Sequence, residues 1–197
     1  MAETKTFHHG DLKRVLFEAA ISLLDQHGAG GVTIRAVARA AGVSHGAPVN
    51  HYKDRRSLLT AIATHQFKLI RKRIDSALER AGSDPKVRAR VFAEILMDFG
   101  FEFPHRYQLL WRADLIDHED TELLTIMDGV YDQLCDEIAA IPSRTQNDKD
   151  TIAVALWSMV HGYVDMRLSG MFVPLNDGLS GRPRREAMLD LLFSALK

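Results

Sequence analysis

Apolar residues recur through most of the chain at the three- and four-residue spacing of a helix that buries one face. The first 30 residues carry this pattern at Leu12, Val15, Leu16, Ala19 and Leu23. The pattern stops at Gly28, and glycine readily ends a helix because it tolerates the left-handed conformation. The sequence therefore predicts a first amphipathic helix that ends at this glycine.

Three more helices fit between this glycine and residue 80. Thr33 is a suitable N-cap for a short second helix, and Gly42 is a suitable left-handed residue just past its C-terminus. Ser44 is a second candidate cap, for a third short helix that reaches about Tyr52. Asp54 then precedes a long amphipathic helix, which its side chain can cap in the same way.

The remainder of the chain is also helical in its pattern. Prolines and glycines separate segments that predict helices near residues 85–102, 105–114, 119–140, 148–171 and 182–196. No segment alternates polar and apolar residues as a half-buried strand does. The predicted fold class is therefore all-α.

The distribution of charge is informative only when the two parts of the chain are compared. The 197 residues are 46% hydrophobic, which is enough to bury a core, and their net charge is only −1. Residues 1–80, however, hold 13 Lys and Arg against 7 Asp and Glu, whereas residues 81–197 hold 12 against 19. A basic front on an acidic body is typical of a chain that meets a polyanion at one end. A chance scatter of solvated charges is the alternative.

The two short helices on either side of Gly42 have the spacing of a helix-turn-helix. The second helix of that motif can lie in the major groove of DNA, whereas the alternative is an ordinary helical hairpin with a glycine C-cap. At the start of the third helix, we expect base reading by His45, Gly46, Ala47 and Asn50. Hydroxyl, imidazole and cationic groups nearby suit phosphate oxygens. We predict phosphate contacts from Thr33, Arg35, Ser44, His51, Tyr52, Lys53 and Arg55. A solvated helix face is the alternative for the arginines.

These residues also carry a resemblance to a known family. The run TIRAVARAAGVSHG at residues 33–46, followed by HYKDR at residues 51–55 and by Leu58, resembles the DNA-binding domain of the TetR family of bacterial transcriptional regulators. The resemblance implies an N-terminal three-helix DNA-binding unit, a linking helix and a C-terminal domain for effector binding and dimerisation. We place these three parts at residues 1–54, 55–80 and 81–197.

The sequence departs from the family pattern at two positions of this motif. At the position of Val49, the family usually has a tyrosine that contacts the phosphate backbone. At the position of Pro48, the family usually has an aliphatic residue. Because valine cannot donate that hydrogen bond, its neighbours would carry more of the backbone contact, or the affinity for DNA would be lower. The proline also removes an early helical N–H group.

A second segment, WSMVHGYVDMRLSG at residues 157–170, resembles the Trp-x-x-x-His-Gly (WHG) signature of one C-terminal domain type in the same family. This resemblance does not name a ligand. An effector pocket is expected to be apolar with a few polar groups. Its candidate residues are Phe99, Phe103, Tyr107, Trp111, Tyr131, Trp157, His161 and Asp165. Core packing is the alternative for the aromatic residues, and a satisfied core histidine is the alternative for the histidine.

The end of the chain carries more apolar surface than one helix face needs to bury, over residues 151–168 and 188–196. In the family, the last two helices form a four-helix bundle with the same pair of a second copy. The resemblance thus implies a homodimer on a palindromic DNA operator, with reading helices about one DNA turn, roughly 34 Å, or a multiple of it apart. It also implies a transcriptional regulator, and we expect a repressor that a small-molecule effector releases.

Other classes of protein have less support in the sequence. Cys135 is the only cysteine, and no stretch reaches the roughly 18 uncharged apolar residues of a membrane span, so we expect a cytoplasmic protein without disulfides or a membrane partner. His8, His9 and His118 lack the spacing of metal ligands, and we predict no metal and no cofactor. No common nucleotide-binding or hydrolase motif is present, so we expect no enzymatic activity. The rival interpretation is a helical small-molecule-binding protein or enzyme with a vestigial helix-turn-helix.

Overall fold

The protein is described by a computed structural model that covers residues 9–142 and 148–196, with side chains from Leu12 onward. His8 lies outside these residues, as does the side chain of His9. Its elements are α1 (His9–Gly31), α2 (Ile34–Ala40), a 3₁₀ turn (Ala47–Asn50), α3 (Arg55–Leu78), α4 (Pro85–Glu102), α5 (Pro104–Leu110), α6 (Thr121–Ala139), α7 (Lys149–Leu168) and α8 (Arg184–Ala195). The described residues hold no strand, only an isolated bridge between Asn176 and Pro183. The prediction of an all-α fold is confirmed.

The chain forms two compact units. Unit 1 comprises the described residues up to 69 together with residues 103–126, and unit 2 comprises residues 70–102 and 127–196. The predicted limits at residues 54 and 80 do not coincide with a boundary between the units, because α3 contributes residues to both units. Those limits divide the chain by function rather than by compactness, and they stay predictions.

The core of unit 1 holds the helix-turn-helix region in place. α1 packs against α2 and α5. Leu16 and Leu24 of α1 are fully buried, as are Val37 of α2 and Leu58 and Ile62 of α3. Burial of such side chains stabilises the fold by about 1.5–3 kcal/mol each. The short helix α2 is therefore stabilised by packing against its neighbours.

The predicted end of α1 at Gly28 is a break in the helix rather than its end. Gly28 has φ 66° and ψ −177°, and helical turns resume as far as Gly31. The break is anchored by Arg106 of α5, whose Nε and Nη2 donate to the two carboxylate oxygens of Asp25 at 2.7 and 2.6 Å. The glycine is required because its positive φ strains any residue that carries a Cβ. The prediction that the helix is interrupted at this glycine is thus confirmed, and only the short stretch that continues to Gly31 was not predicted.

Unit 2 has its own core, in which α4 packs against α7. Phe92 and Leu96 of α4 and Leu156 and Val160 of α7 are buried there. Arg88 of α4 also donates from Nε and Nη2 to Glu137 of α6 at 2.7 and 2.6 Å. This planar, bidentate pair fixes α6 relative to α4 within the unit.

The remaining predicted helices exist, but several bounds shift. The helix expected over 105–114 ends at Leu110, and Arg112 and Asp114 beyond it form a bidentate ion pair at 2.7 and 2.6 Å. The helix expected over 148–171 begins after Asp148, whose carboxylate accepts from the N–H of Thr151 at 2.7 Å, and ends at Leu168. None of the described helices is long and apolar enough to cross a membrane.

Candidate nucleic-acid interface

Both ends of α2 are held by hydrogen bonds that the local sequence supplies. The hydroxyl oxygen of Thr33 accepts from the N–H of Ala36 at 3.1 Å, so the predicted N-cap is confirmed. Past the C-terminus, carbonyl groups of α2 accept from the N–H groups of Gly42 at 3.2 Å and Val43 at 3.0 Å. These bonds form a Schellman motif. Gly42 has φ 67°, and its predicted left-handed conformation is confirmed.

The third helix of the predicted motif is a single 3₁₀ turn, Ala47–Asn50. Gly46 is its N-cap residue, and Ser44 contributes only its carbonyl, which accepts from the N–H of Ala47 at 3.0 Å. The buried Pro48 has no N–H group to return to the carbonyl of Ser44, so a regular α-helical turn cannot start there. The prediction of a longer helix capped by the Ser44 side chain is therefore wrong.

The residues predicted to read bases lie on and before this turn. His45, Gly46 and Asn50 are exposed, and Ala47 is half-buried. A Cβ built on Gly46 would meet no described atom within 4 Å, and its φ of −82° suits any residue. No packing among the described residues therefore requires a glycine at this position.

Cationic side chains flank the turn without internal partners. Arg35 and Arg39 of α2 and Lys53 are exposed, and none of the three makes a hydrogen bond or ion pair with a described residue. Five of the seven predicted phosphate contacts have at least part of their surface open to solvent: Thr33, Arg35, Ser44, His51 and Lys53. These cations could therefore bind an anion without first breaking a bond to another described residue.

The other two predicted phosphate contacts are engaged inside unit 1. Tyr52 is only 6% exposed, and burial raises the pKa of its hydroxyl. Arg55 donates from Nε to the carbonyl of Val32 at 2.7 Å and from Nη2 to the carbonyl of Ala29 at 2.6 Å. Arg55 thus ties the start of α3 to the segment that precedes α2. Both residues thus also belong to the scaffold of unit 1, and their phosphate contacts stay predictions.

The turn and the segment that joins it to α3 contain one open position and one confirmed cap. Asp54 accepts from the N–H of Ser57 at 2.7 Å, and this hydrogen bond lowers the pKa of Asp54. The predicted cap of α3 is confirmed. Val49 is 56% exposed, so a larger side chain at this position would have room.

Five of the predicted effector residues belong to unit 2. Tyr131 meets Trp157 edge-on with ring centroids 6.5 Å apart, and the Trp157 and His161 rings are 5.4 Å apart. Burial lowers the pKa of His161 to about 4, although the nearby Asp165 acts in the opposite direction. The imidazole is therefore neutral at pH 7. Phe99 is buried in the core of the unit, whereas Asp165 is exposed.

The other three predicted effector residues belong to unit 1. Trp111 makes edge contacts with Tyr107 and with Phe67, at centroid distances of 6.0 and 5.8 Å. The guanidinium of Arg106 lies 4.3 Å from the ring centroid of Phe103. The eight candidates thus fall into two groups, one in each unit, and their membership of one pocket stays a prediction.

Sequence reasoning missed Gln66. Its side chain is fully buried, and neither the amide oxygen nor the amide nitrogen has a hydrogen-bond partner among the described residues. Gln66 lies between the buried Ile62 and Ile70 on the apolar face of α3. A polar residue at a core position of the helical pattern was the available signal. A buried amide without partners is costly, which makes this side chain a candidate for ligand contact.

A helix-turn-helix within an otherwise helical chain defines a class of DNA-binding regulators. Residues 16–62 match the family model for bacterial regulatory proteins of the tetR family. Residues 89–192, more than half of the chain, match the model for the tetracyclin repressor-like C-terminal domain. The chain belongs to the TetR family of transcriptional regulators.

Solved structures agree with this assignment. A protein of unknown function from Rhodococcus sp. RHA1 is 28% identical, with a TM-score of 0.78 and 98% of each chain covered. A TetR family transcription regulator from Marinobacter aquaeolei VT8 is 18% identical (TM-score 0.65; 95% of this chain and 96% of that one). NalD from Pseudomonas aeruginosa, the secondary repressor of the MexAB-OprM multidrug efflux pump, is 18% identical (TM-score 0.62; 95% and 96%). The last two likenesses show the fold alone. Comparison with curated proteins gives no match.

Proposed function

We propose that this chain is a repressor that binds a palindromic operator as a homodimer and that a small-molecule effector releases it. The observation that carries the proposal is the exposed 3₁₀ turn flanked by Arg35 and Lys53, neither of which has an internal partner among the described residues. Exposed groups without internal partners do not stabilise the fold, whereas they could contact the phosphates and bases of DNA. NalD, which shares the fold, is described as a repressor.

The residues divide into positioning and reading roles. The hydroxyl of Thr33 accepts from the backbone of α2 and keeps its own hydrogen, which it can donate to a phosphate oxygen. Arg35, Ser44, His51 and Lys53 would add further phosphate contacts. Base edges would be met by the four residues of and before the turn: His45, Gly46, Ala47 and Asn50. The absence of a Cβ at Gly46 would let the backbone lie close to a base.

Dimerisation is proposed through α7 and α8. One face of α7 exposes small side chains at Ala155, Ser158 and Gly162, where a second helix could approach closely. On α8, Leu191 is 74% exposed, which is unusual for a leucine that has no partner surface. The same pair of helices from a second copy would cover both features.

The oligomeric state tests this part. Sedimentation velocity is expected to give a dimer for the wild-type chain, and Leu191→Glu is expected to give a monomer. Leu124→Glu is the matched control, because Leu124 is an exposed leucine of α6, and it is expected to remain dimeric. A monomeric wild-type chain, or equal behaviour of the two variants, contradicts the proposal.

The effector would bind among the aromatic residues of unit 2 around Trp157 and His161, whose spacing resembles the WHG-type signature. A neutral, half-buried imidazole suits a hydrogen bond to an uncharged or weakly polar ligand. α3 supplies Leu58 to the core of unit 1 and Ile74 to that of unit 2, so it is the element through which the two could be coupled. An effector acts only through the difference between its affinities for the two states, typically 1–3 kcal/mol.

DNA binding tests the central claim. Fluorescence anisotropy of the purified protein on its own upstream intergenic DNA, at two salt concentrations and with unrelated competitor DNA, is expected to show tight, salt-sensitive binding that survives the competitor. Binding no tighter than to the competitor would contradict recognition of that region. It would favour the alternative of a helical ligand-binding protein or enzyme with a vestigial helix-turn-helix. The four-residue turn and Val49 are the features that support this alternative.

A further inference from the structure

Unit 1 contains a cleft of about 390 Å³ that the proposed DNA contacts do not use. Phe17 of α1 and His65 of α3 form one aromatic part of its lining, with ring centroids 5.1 Å apart and an interplanar angle of 76°. Tyr52, which follows the 3₁₀ turn, contributes a third ring. The volume lies within the range of small-molecule sites, and three rings offer flat apolar surface.

The hydroxyl of Tyr52 is available to a ligand as a hydrogen-bond donor. The side chain is more than nine-tenths buried, and its hydroxyl makes no hydrogen bond with any residue in the described parts of the chain. The hydroxyl oxygen is nevertheless not fully enclosed, so it can meet a ligand in the cleft that the side chain lines. Because burial raises its pKa, the group stays protonated at neutral pH and is available as a donor to an acceptor in the cleft.

The cleft also carries excess positive charge. Lys13, Arg14 and Lys68 line it, against Glu122 as the acidic residue of the lining. Lys68 pairs with Glu122, and Arg14 pairs with Glu18 at 2.8 Å. Lys13 makes no ion pair or hydrogen bond within the described residues. One cation of the rim is therefore left for a ligand.

His65 adds an aromatic ring to the lining of the cleft, and its pKa favours the uncharged form. Burial, followed by the charges of Arg106 and Lys68, lowers the pKa of His65. A lowered pKa favours the neutral imidazole, so this exposed side chain would meet a ligand through its ring rather than as a further cation.

We propose that this cleft binds a small aromatic carboxylate. Its ring would lie against Phe17 and His65, its carboxylate would pair with Lys13, and the hydroxyl of Tyr52 would donate a hydrogen bond to the ligand. Because Tyr52 lies two residues past the end of the 3₁₀ turn, a bound ligand would contact the chain close to the residues proposed to read DNA. This site is separate from the effector residues proposed in unit 2.

The test uses the full chain labelled with 3-fluorotyrosine and observed by ¹⁹F NMR, with 2-naphthoate as the probe. The Tyr52 resonance is assigned as the one that Tyr52→Phe removes. Titration is expected to shift this resonance saturably, and the neutral 2-naphthamide is expected to bind more weakly. Lys13→Glu should weaken binding of the carboxylate by roughly threefold to tenfold, as expected for reversing a solvent-exposed charge.

Lys72→Glu is the matched control, because Lys72 is an exposed lysine of α3 that does not line the cleft, and it should leave the affinity unchanged. No shift of the Tyr52 resonance at millimolar probe, or equal weakening by the two variants, would overturn the proposal. So would a loss of DNA affinity in Lys13→Glu with unchanged probe binding, because the cleft would then serve phosphate. The NMR titration contains no DNA, so its failure is distinct from failure of operator binding.

Discussion

The two units place their candidate functional groups in opposite surroundings. In unit 1 the proposed DNA-contacting residues, such as Lys53 and Asn50, stay exposed, while their scaffold is bonded internally. In unit 2 the proposed effector contacts Trp157 and His161 are packed against each other, and burial lowers the pKa of the histidine to about 4. A surface for a hydrated polyanion needs accessible charge, whereas a site for a small organic ligand needs groups that have already lost their water.

The largest effect is expected from the arginine that belongs to the scaffold of unit 1. Arg55→Ala removes two hydrogen bonds from a charged donor to the carbonyls of Ala29 and Val32. We expect a loss of about 2 kcal/mol in the free energy of unfolding, measured by urea denaturation. Arg35→Ala is the control, since Arg35 is exposed and has no internal partner among the described residues, and it should change stability by less than about 0.5 kcal/mol. Equal losses would erase the distinction between scaffold and contact surface.

The half-buried histidine of unit 2, His161, should make stability depend on pH. The pKa of His161 is lowered from 6.5 to about 4, so between these values the unfolded chain binds more protons than the folded one. The free energy of unfolding therefore rises with pH through this window, and the contribution is complete above about pH 6.5.

Allowing for partial exposure of the ring, lowering the pH from 7 to 5 is expected to cost about 1–2 kcal/mol from this residue. The measurement is urea denaturation of the wild-type chain and of His161→Asn at both pH values, since asparagine keeps a polar side chain but does not titrate. The variant should lose less stability on acidification. Parallel losses would mean that the histidine is solvated in the folded protein.

A smaller effect should separate the two hydroxyl residues that precede the helices of the motif. Thr33 caps α2 through a 3.1 Å hydrogen bond, whereas the side chain of Ser44 caps nothing among the described residues. Thr33→Ala is expected to lower the free energy of unfolding by about 1 kcal/mol, and Ser44→Ala is expected to leave it nearly unchanged. Thermal unfolding followed by circular dichroism measures both. A comparable loss in Ser44→Ala would show that the predicted cap does form.

The sequence was sufficient for features that depend on local bonds. Thr33, Gly42 and Asp54 act through residues one turn away, and all three predictions are confirmed. The internal contacts of Arg55 and Tyr52 were not predicted, because they come from residues distant in sequence, such as Ala29, 26 positions away. Periodicity shows which face of a helix is apolar, but it does not show which neighbour satisfies a long polar side chain.

The smallest expected effects in free energy concern the exposed residues themselves, and they decide what each contributes to DNA binding. Lys53→Ala removes an exposed cation that has no internal partner within the described chain. If it contacts one phosphate, affinity should fall alike for all sequences, and the slope of log K against log salt should become shallower by about 0.9. Asn50→Ala should leave that slope unchanged and alter the relative affinities over an operator library, because amide groups read base edges.

Both variants are compared by fluorescence anisotropy on the same library at several salt concentrations. Arg80→Ala serves as the control for loss of one exposed positive charge, since Arg80 lies beyond the end of α3, away in sequence from the proposed contacts. If Asn50→Ala lowered all affinities equally, its proposed base-reading role would be wrong. If Lys53→Ala matched the control, affinity would arise from the net charge of the chain rather than from a defined contact at the turn. The exposed groups of unit 1 would then be solvated surface, and the contrast between the two units would rest on unit 2 alone.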